Sequence, residues 1–167
     1  MAKYSLLSLS MMAALTSGLM APVPSALANT HVEIDLSDQR ARVFRDGRIL
    51  ISSPISTGKP GYETPTGSFN IKEKDIDHRS NLYGEYIDGA GRVAKWNVDV
   101  RKHAAPAGTS FRGARMDYFM RVNGGVGMHD GPIPGYPASH GCIRLPRPAA
   151  RYIFSQVSVG TPVTIRP

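Results

Sequence analysis

Short runs of alternating apolar and polar residues, each cut off by glycine or proline, constrain this chain more than any other feature. Val32, Ile34 and Leu36 alternate with polar neighbours, as do Ala41 and Val43 within 40–45. A period of two gathers one set of side chains on one face of a strand. Asp46-Gly47 is a pair suited to a tight hairpin turn, and 48–56 returns as the partner strand. The opening is therefore a meander of strands. The stretch 57–67 carries Gly58, Pro60, Gly61, Pro65 and Gly67, which makes it a shaped loop. The segment 68–74 alternates again, with Phe69 and Ile71 on one face of a single strand.

The region 75–107 is polar, with Tyr83, Tyr86 and Trp96 and weak strand signals at 85–87 and 93–100. A strand pattern returns at 117–123, and Gly124-Gly125-Val126-Gly127 then lets backbone approach backbone closely. Three prolines and two glycines between Gly131 and Pro137 make a rigid loop. Pro146-Arg147-Pro148 opens one helix over about 149–157, Gly160-Thr161-Pro162 stops it, and 163–166 closes the chain as a strand. The sum is a mainly β fold with one short helix, its chemically active residues on loops at strand ends.

The first 28 residues read as a secretory leader, with Lys3 at the start, an apolar core from Leu6 to Leu19 and a small-residue cleavage site at Ala26-Leu27-Ala28. The apolar run is broken by serines, Thr16 and Gly18 and followed by Pro22 and Pro24, so it is too short to span a bilayer well. No stable membrane anchor is expected after cleavage. With no cysteine near the cleavage point, a lipoprotein anchor is excluded. The remainder, 29–167, is sized for one domain. Its address is periplasmic or cell-wall-associated. The formal charge of +7 suits an anionic partner such as wall polymer or a membrane surface, or serves solubility alone. Nucleic acid is not an expected partner, because the Lys and Arg residues are scattered and no nucleic-acid motif is present.

Cys142 is the only cysteine, so it forms no internal disulfide in a compartment where bridges are the usual use of cysteine. It is either buried and inert or kept for its chemistry. The stretch Met128-His129-Asp130-Gly131, then Ser139-His140-Gly141-Cys142-Ile143-Arg144-Leu145, favours chemistry, since a thiol nucleophile needs a base within reach and free amides nearby. His140, two residues before the thiol, shares its face if the segment is extended; His129 reaches it only if the fold brings it there. The amides of Gly141 and Cys142 are candidates for an oxyanion hole. Arg144 is positioned either to bind a substrate carboxylate or to pair with an acid such as Asp130. A zinc site from His129, His140 and Cys142 fits poorly, because the spacing is unlike that of usual ligand pairs and no second cysteine exists. No metal or cofactor is expected.

These residues resemble the signature of the L,D-transpeptidase (YkuD-like) catalytic domain. Val126-Gly127-Met128-His129 precedes the cysteine motif; Ile55-Ser56-Thr57-Gly58, Thr64-Pro65-Thr66-Gly67-Ser68-Phe69 and Gly160-Thr161-Pro162-Val163-Thr164-Ile165 resemble the family's other segments. The resemblance implies a β-sandwich of mixed sheets. It also implies a cysteine acyltransferase in which Cys142 attacks the L-centre diamino acid of a peptidoglycan stem peptide and D-alanine leaves. The acyl group then passes to a stem amine, a protein lysine or water. By resemblance His129 is the proton donor and acceptor, where spacing alone favours His140. Ser139, His140 and Gly141 shape the thiol and its oxyanion site, and Arg144 and Tyr136 serve substrate binding. Two departures stand out: the His129–Ser139 segment is shorter than in many members, and Asp130 replaces a common glycine. Pro134-Gly135-Tyr136-Pro137-Ala138-Ser139 resembles one subgroup. A wall-peptide binding module without turnover is the reading from another class. Expression of the full chain in a secreting host, followed by N-terminal sequencing of the exported product, is expected to read from about Asn29; retention of Met1 would refute the leader.

Overall fold

The computed structural model describes residues 29–167, so the leader expected over 1–28 lies outside the described residues. Strands Thr30–Asp35 (β1), Arg40–Arg45 (β2) and Arg48–Pro54 (β3) form the expected meander. Asp46 and Gly47 both take left-handed backbone, φ 51° and 76°, the turn geometry that matches the twist of the flanking strands.

The segment 68–74, expected as one strand, is two. Gly67–Asn70 (β4) and Glu73–Asp75 (β5) belong to different sheets. Ile71 lies at the crossing, 1% exposed. Its amide donates to Thr161 and its carbonyl accepts from Gly160, while the Lys72 amide turns away to the Arg121 carbonyl. Alternation persists across such a crossing, so the pattern alone does not reveal it.

Arg79–Ile87 (β6), Val93–Asp99 (β7) and Ser110–Arg115 (β8) form a separate antiparallel sheet in the order β7-β6-β8. β6 starts well before the weak signal at 85–87, and β8 gave no signal. No residue of β8 is fully buried, and without a buried face a strand carries little period-two contrast.

Phe119–Asn123 (β9), Val126–Asp130 (β10), Ile143–Leu145 (β11), the helix Arg147–Gln156 (α1) and Pro162–Arg166 (β12) complete the chain. β12 lies between β1, which it pairs in parallel, and β4, giving the five-stranded sheet β3-β2-β1-β12-β4. The four-stranded sheet is β11-β10-β9-β5, with β10 and β11 parallel. Val32, Ile34, Val163 and Ile165 of the first sheet share one core with Met120, Met128, Ile143 and Leu145 of the second. The expected mainly β sandwich of mixed sheets with one short helix after Cys142 is thus what the chain adopts.

α1 begins two residues before the expected Ala149, behind Pro146 as N-cap and with Pro148 in its first turn. Proline there loses an amide that the helix would leave unsatisfied in any case. Ala149, Ala150 and Ile153 face the core. Among the described residues no helix is long and apolar enough to cross a membrane. Ile34→Ala, at a site with no solvent exposure, is expected to lower unfolding free energy by about 2–5 kcal/mol. Ile49→Ala, at a site 56% exposed, should cost less than about 1 kcal/mol; parallel denaturant titrations check both.

Candidate active site

The parallel pairing of β10 with β11 aligns Met128 with Ile143 and His129 with Arg144. One step back along both chains, Gly127 comes opposite Cys142, and a backbone hydrogen bond from Gly127 reaches the sulfur. Strand periodicity then puts Cys142 and His129 on one face, diagonal to each other, with no side chain at Gly127 to separate them. A Cβ at Gly127 would lie 2.5 Å from the Phe119 ring and 2.6 Å from the Met120 carbonyl oxygen, so glycine is required there. Met128 and Ile143, between the reactive positions, point the other way into the core.

The turn before Cys142 is tied from two sides. The Ser139 hydroxyl donates to the Cys142 carbonyl at 2.5 Å and accepts the Gly141 amide at 3.0 Å. Gly141 has φ 110°, a left-handed conformation that favours glycine. The loop 57–67 supplies the outer support. The Ala138 and Ser139 amides donate to the Thr57 carbonyl, Lys59 donates to the Ser139 carbonyl, and Thr64 Oγ1 donates to the Gly141 carbonyl at 2.8 Å. Ser56 and Arg144 exchange backbone hydrogen bonds of 3.1 and 2.9 Å. The glycine- and proline-rich loop is therefore a scaffold for the turn.

A cleft of about 680 Å³ opens over this face, lined on one side by β6 and on the other by Val126, His129, His140, Cys142 and Arg144. His129 is only 6% exposed. Its Nδ1 lies 2.6 Å from the Asp130 carbonyl oxygen; a carbonyl only accepts, so Nδ1 carries the proton and Nε2 keeps its lone pair. Burial lowers the imidazole pKa to about 4, outweighing the upward pull of the Asp130 carbonyl and carboxylate. Burial pushes the Cys142 thiol up, against the Gly127 backbone hydrogen bond and the charges of Arg144 and Arg121. The thiol lies 3.6 Å from the Gly125 carbonyl oxygen, as a weak S–H donor. Both shifts favour a protonated thiol and a neutral imidazole in the free protein at neutral pH.

The structure separates the remaining sequence candidates. His140 is not on an extended segment with Cys142, because the chain bends at 140–141. Its ring stacks on Tyr83, centroids 4.3 Å apart, and meets Tyr62 edge-on at 4.6 Å. That sandwich makes it a wall rather than the base that spacing alone favoured. The Gly141 amide is committed to Ser139 Oγ, which corrects its expected part as an oxyanion donor; among the described residues the Cys142 amide has no acceptor. Tyr136 is 61% exposed and lies outside the cleft lining. Its carbonyl is held by the Ser56 hydroxyl at 2.7 Å, which ties the proline-rich loop to the 55–58 segment while the ring stays exposed. Asp130 does not pair with Arg144. Its carboxylate binds Arg147 at 2.7 Å, and Arg147 also holds Asp117 at 2.9 Å. Arg144, partly buried, has no ion pair among the described residues.

Tyr62 and Tyr83 were missed as neighbours of the cysteine motif. Tyr83 stood out only as an aromatic in a polar region, and nothing local linked either ring to His140. The one cluster among the described residues that could hold a metal ion is Glu73, Asp75 and His78. Its members are already engaged, Glu73 with Arg121 at 2.6 Å and Asp75 with His78 at 3.0 Å.

A mainly β fold of mixed sheets that sets a thiol and a buried imidazole on one face of a parallel strand pair defines a class of protein in which a cysteine can serve as nucleophile. Residues 29–165 match the family model of the YkuD L,D-transpeptidase catalytic domain, and the chain belongs to that family. It is 32% identical over 131 residues to L,D-transpeptidase 1 of Mycobacterium tuberculosis, covering 74% of this chain and 45% of that protein. It resembles a solved L,D-transpeptidase from Mycobacterium smegmatis, with TM-score 0.63, 25% identity and coverage of 84% and 59% of the two chains. Another solved L,D-transpeptidase, in complex with imipenem, gives TM-score 0.63, 27% identity and coverage of 83% and 59%. The chain spans less than half the length of the curated relatives it matches.

The neutral thiol and imidazole make a pH prediction. Iodoacetamide alkylation of Cys142 in the free protein is expected to be slow at pH 7 and to keep rising beyond pH 9, because only the thiolate reacts and its pKa is raised. A plateau between about pH 5 and 8 would instead reveal a resting thiolate–imidazolium pair.

Proposed function

We propose that this protein is an exported L,D-transpeptidase acting on peptidoglycan stem peptides, with Cys142 as nucleophile and His129 as proton acceptor and donor. The observation that carries the reading is the diagonal placement of Cys142 and His129 on one strand face, with the imidazole tautomer fixed by the Asp130 carbonyl. His129 Nε2 takes the thiol proton as Sγ attacks the carbonyl of the L-centre diamino acid. The oxyanion accepts from the Cys142 amide. The C–N bond then breaks, His129 returns the proton to the departing D-alanine amine, and a thioester remains. Arg144, unpaired beside the thiol, receives the carboxylate of the leaving D-alanine. Ser139, Gly141 and His140 hold the turn in shape.

An amine acceptor enters the same cleft, loses its proton to His129 and displaces Sγ. A stem side chain as acceptor gives a crosslink, a protein lysine an anchored protein, and water a carboxypeptidase product. The leader over 1–28 and the net charge of +7 support action in the periplasm or at the cell wall. A module that binds wall peptides without turnover is the competing reading.

Intact-mass spectrometry of the protein with a tetrapeptide donor and an amine acceptor tests these alternatives. Wild type is expected to release D-alanine and give the amine adduct, and Cys142→Ala to lose this by about a thousandfold or more. Tripeptide without adduct would mean water is the acceptor; equal binding with no product from either protein would favour the binding module. Imipenem, bound by a solved relative, should add mass to wild type and not to Cys142→Ala.

A further inference from the structure

The charges around the cleft do not cancel. Arg115 is neutralised by Asp117 at 2.9 Å and Arg121 by Glu73 at 2.6 Å. The one carboxylate in the lining, Asp130, is taken by Arg147 at 2.7 Å. Of the four arginines in the cleft lining, two have no carboxylate partner among the described residues. Arg144 lies on β11 beside the thiol, and Arg79 opens β6 on the facing sheet. Arg79 makes one hydrogen bond, from Nη1 to the Gly113 carbonyl at 2.9 Å. That bond steadies the guanidinium and leaves most of its donors free for a ligand. The cleft thus presents two separate cationic forks, one on each wall, and no free acid.

We infer that Arg79 is a specificity-determining residue that reads a second carboxylate on the acyl donor, so that the preferred donor is a peptide with free acid groups rather than their amides. This rests on the proposed reaction. Arg144 is occupied by the carboxylate beside the scissile bond, and a fork on the other wall matches an acid further along the peptide. Arginine suits the task because its planar donors meet both oxygens of a carboxylate, whereas a primary amide offers only one acceptor oxygen and no charge. The second acid comes either from the side chain of the diamino acid or from the residue before it. Both offer the same group to Arg79. Exposure of Arg79 limits the gain, since solvent and salt screen such a pair.

The test uses three donor peptides: one with both acids free, one with the diamino acid side-chain carboxylate amidated, and one with the preceding carboxylate amidated. In wild type, amidating the carboxylate that Arg79 reads should lower kcat/KM about fivefold, mainly through KM, and amidating the other should do less. Arg79→Gln should bring the acid-to-amide ratio for that position to about one, and Arg79→Lys should keep part of it. An unchanged ratio in Arg79→Gln for both amides would overturn the inference. If wild type turns over none of the peptides, it is the transpeptidase reading that fails. The same three peptides titrated calorimetrically into Cys142→Ala and Cys142→Ala/Arg79→Gln then decide the Arg79 inference, by whether the ratio of dissociation constants collapses and whether added salt shrinks it.

Discussion

The pairing of β10 with β11 is the constraint on which the site depends. In a parallel pair the aligned residues point to the same face, so Met128 and Ile143 enter the core together while the flanking positions emerge together. The core therefore holds the reactive face in register. A slip of one residue by either strand would turn that strand's reactive side chain away from the other's and set its large apolar side chain toward the cleft. Gly127 completes the arrangement by omission, and Phe119 fills the space a side chain there would need. Outside this pair, Ser56, Thr57 and Thr64 add hydrogen bonds that stop the 139–142 turn from relaxing.

Burial then sets the chemistry. The three-stranded sheet forms the far wall of the cleft, and His129 sits in a space dry enough to disfavour its cation. The same dryness disfavours the thiolate. A resting ion pair is the more reactive form of a thiol, but it would also be the more easily oxidised one. A neutral pair leaves the sole cysteine less open to oxidation. The partly buried guanidinium of Arg144 works in the other direction, lowering the thiol against the effect of burial.

Legibility in the sequence followed burial closely. β1, β2 and β12, each with a fully buried alternate set, were plain from period two, and the Asp46-Gly47 turn was plain from its residue types. β8 and the start of β6 were not, since their residues are half-covered and their polarity hardly alternates. The single strand expected over 68–74 kept its alternation while changing sheets. Spacing along the chain pointed to His140 as partner of the thiol, and resemblance to known proteins pointed to His129. The stacking of His140 between Tyr62 and Tyr83 comes from two segments distant in sequence, which no local pattern contains.

Residue order alone dictated the kinds of parts. It called for short strands with a buried face, a proline-led helix, a tight turn at Asp46-Gly47, and one thiol with no partner for a disulfide. These follow from backbone sterics and from the periodicity of a strand, which act over a few residues. Folding decided which histidine shares a face with Cys142, which amides are free, and which arginines lack an acid. Those outcomes depend on register and burial between segments far apart in the chain. A pKa or an ion pair is a property of the space between them, and that space exists only once the sheets have packed.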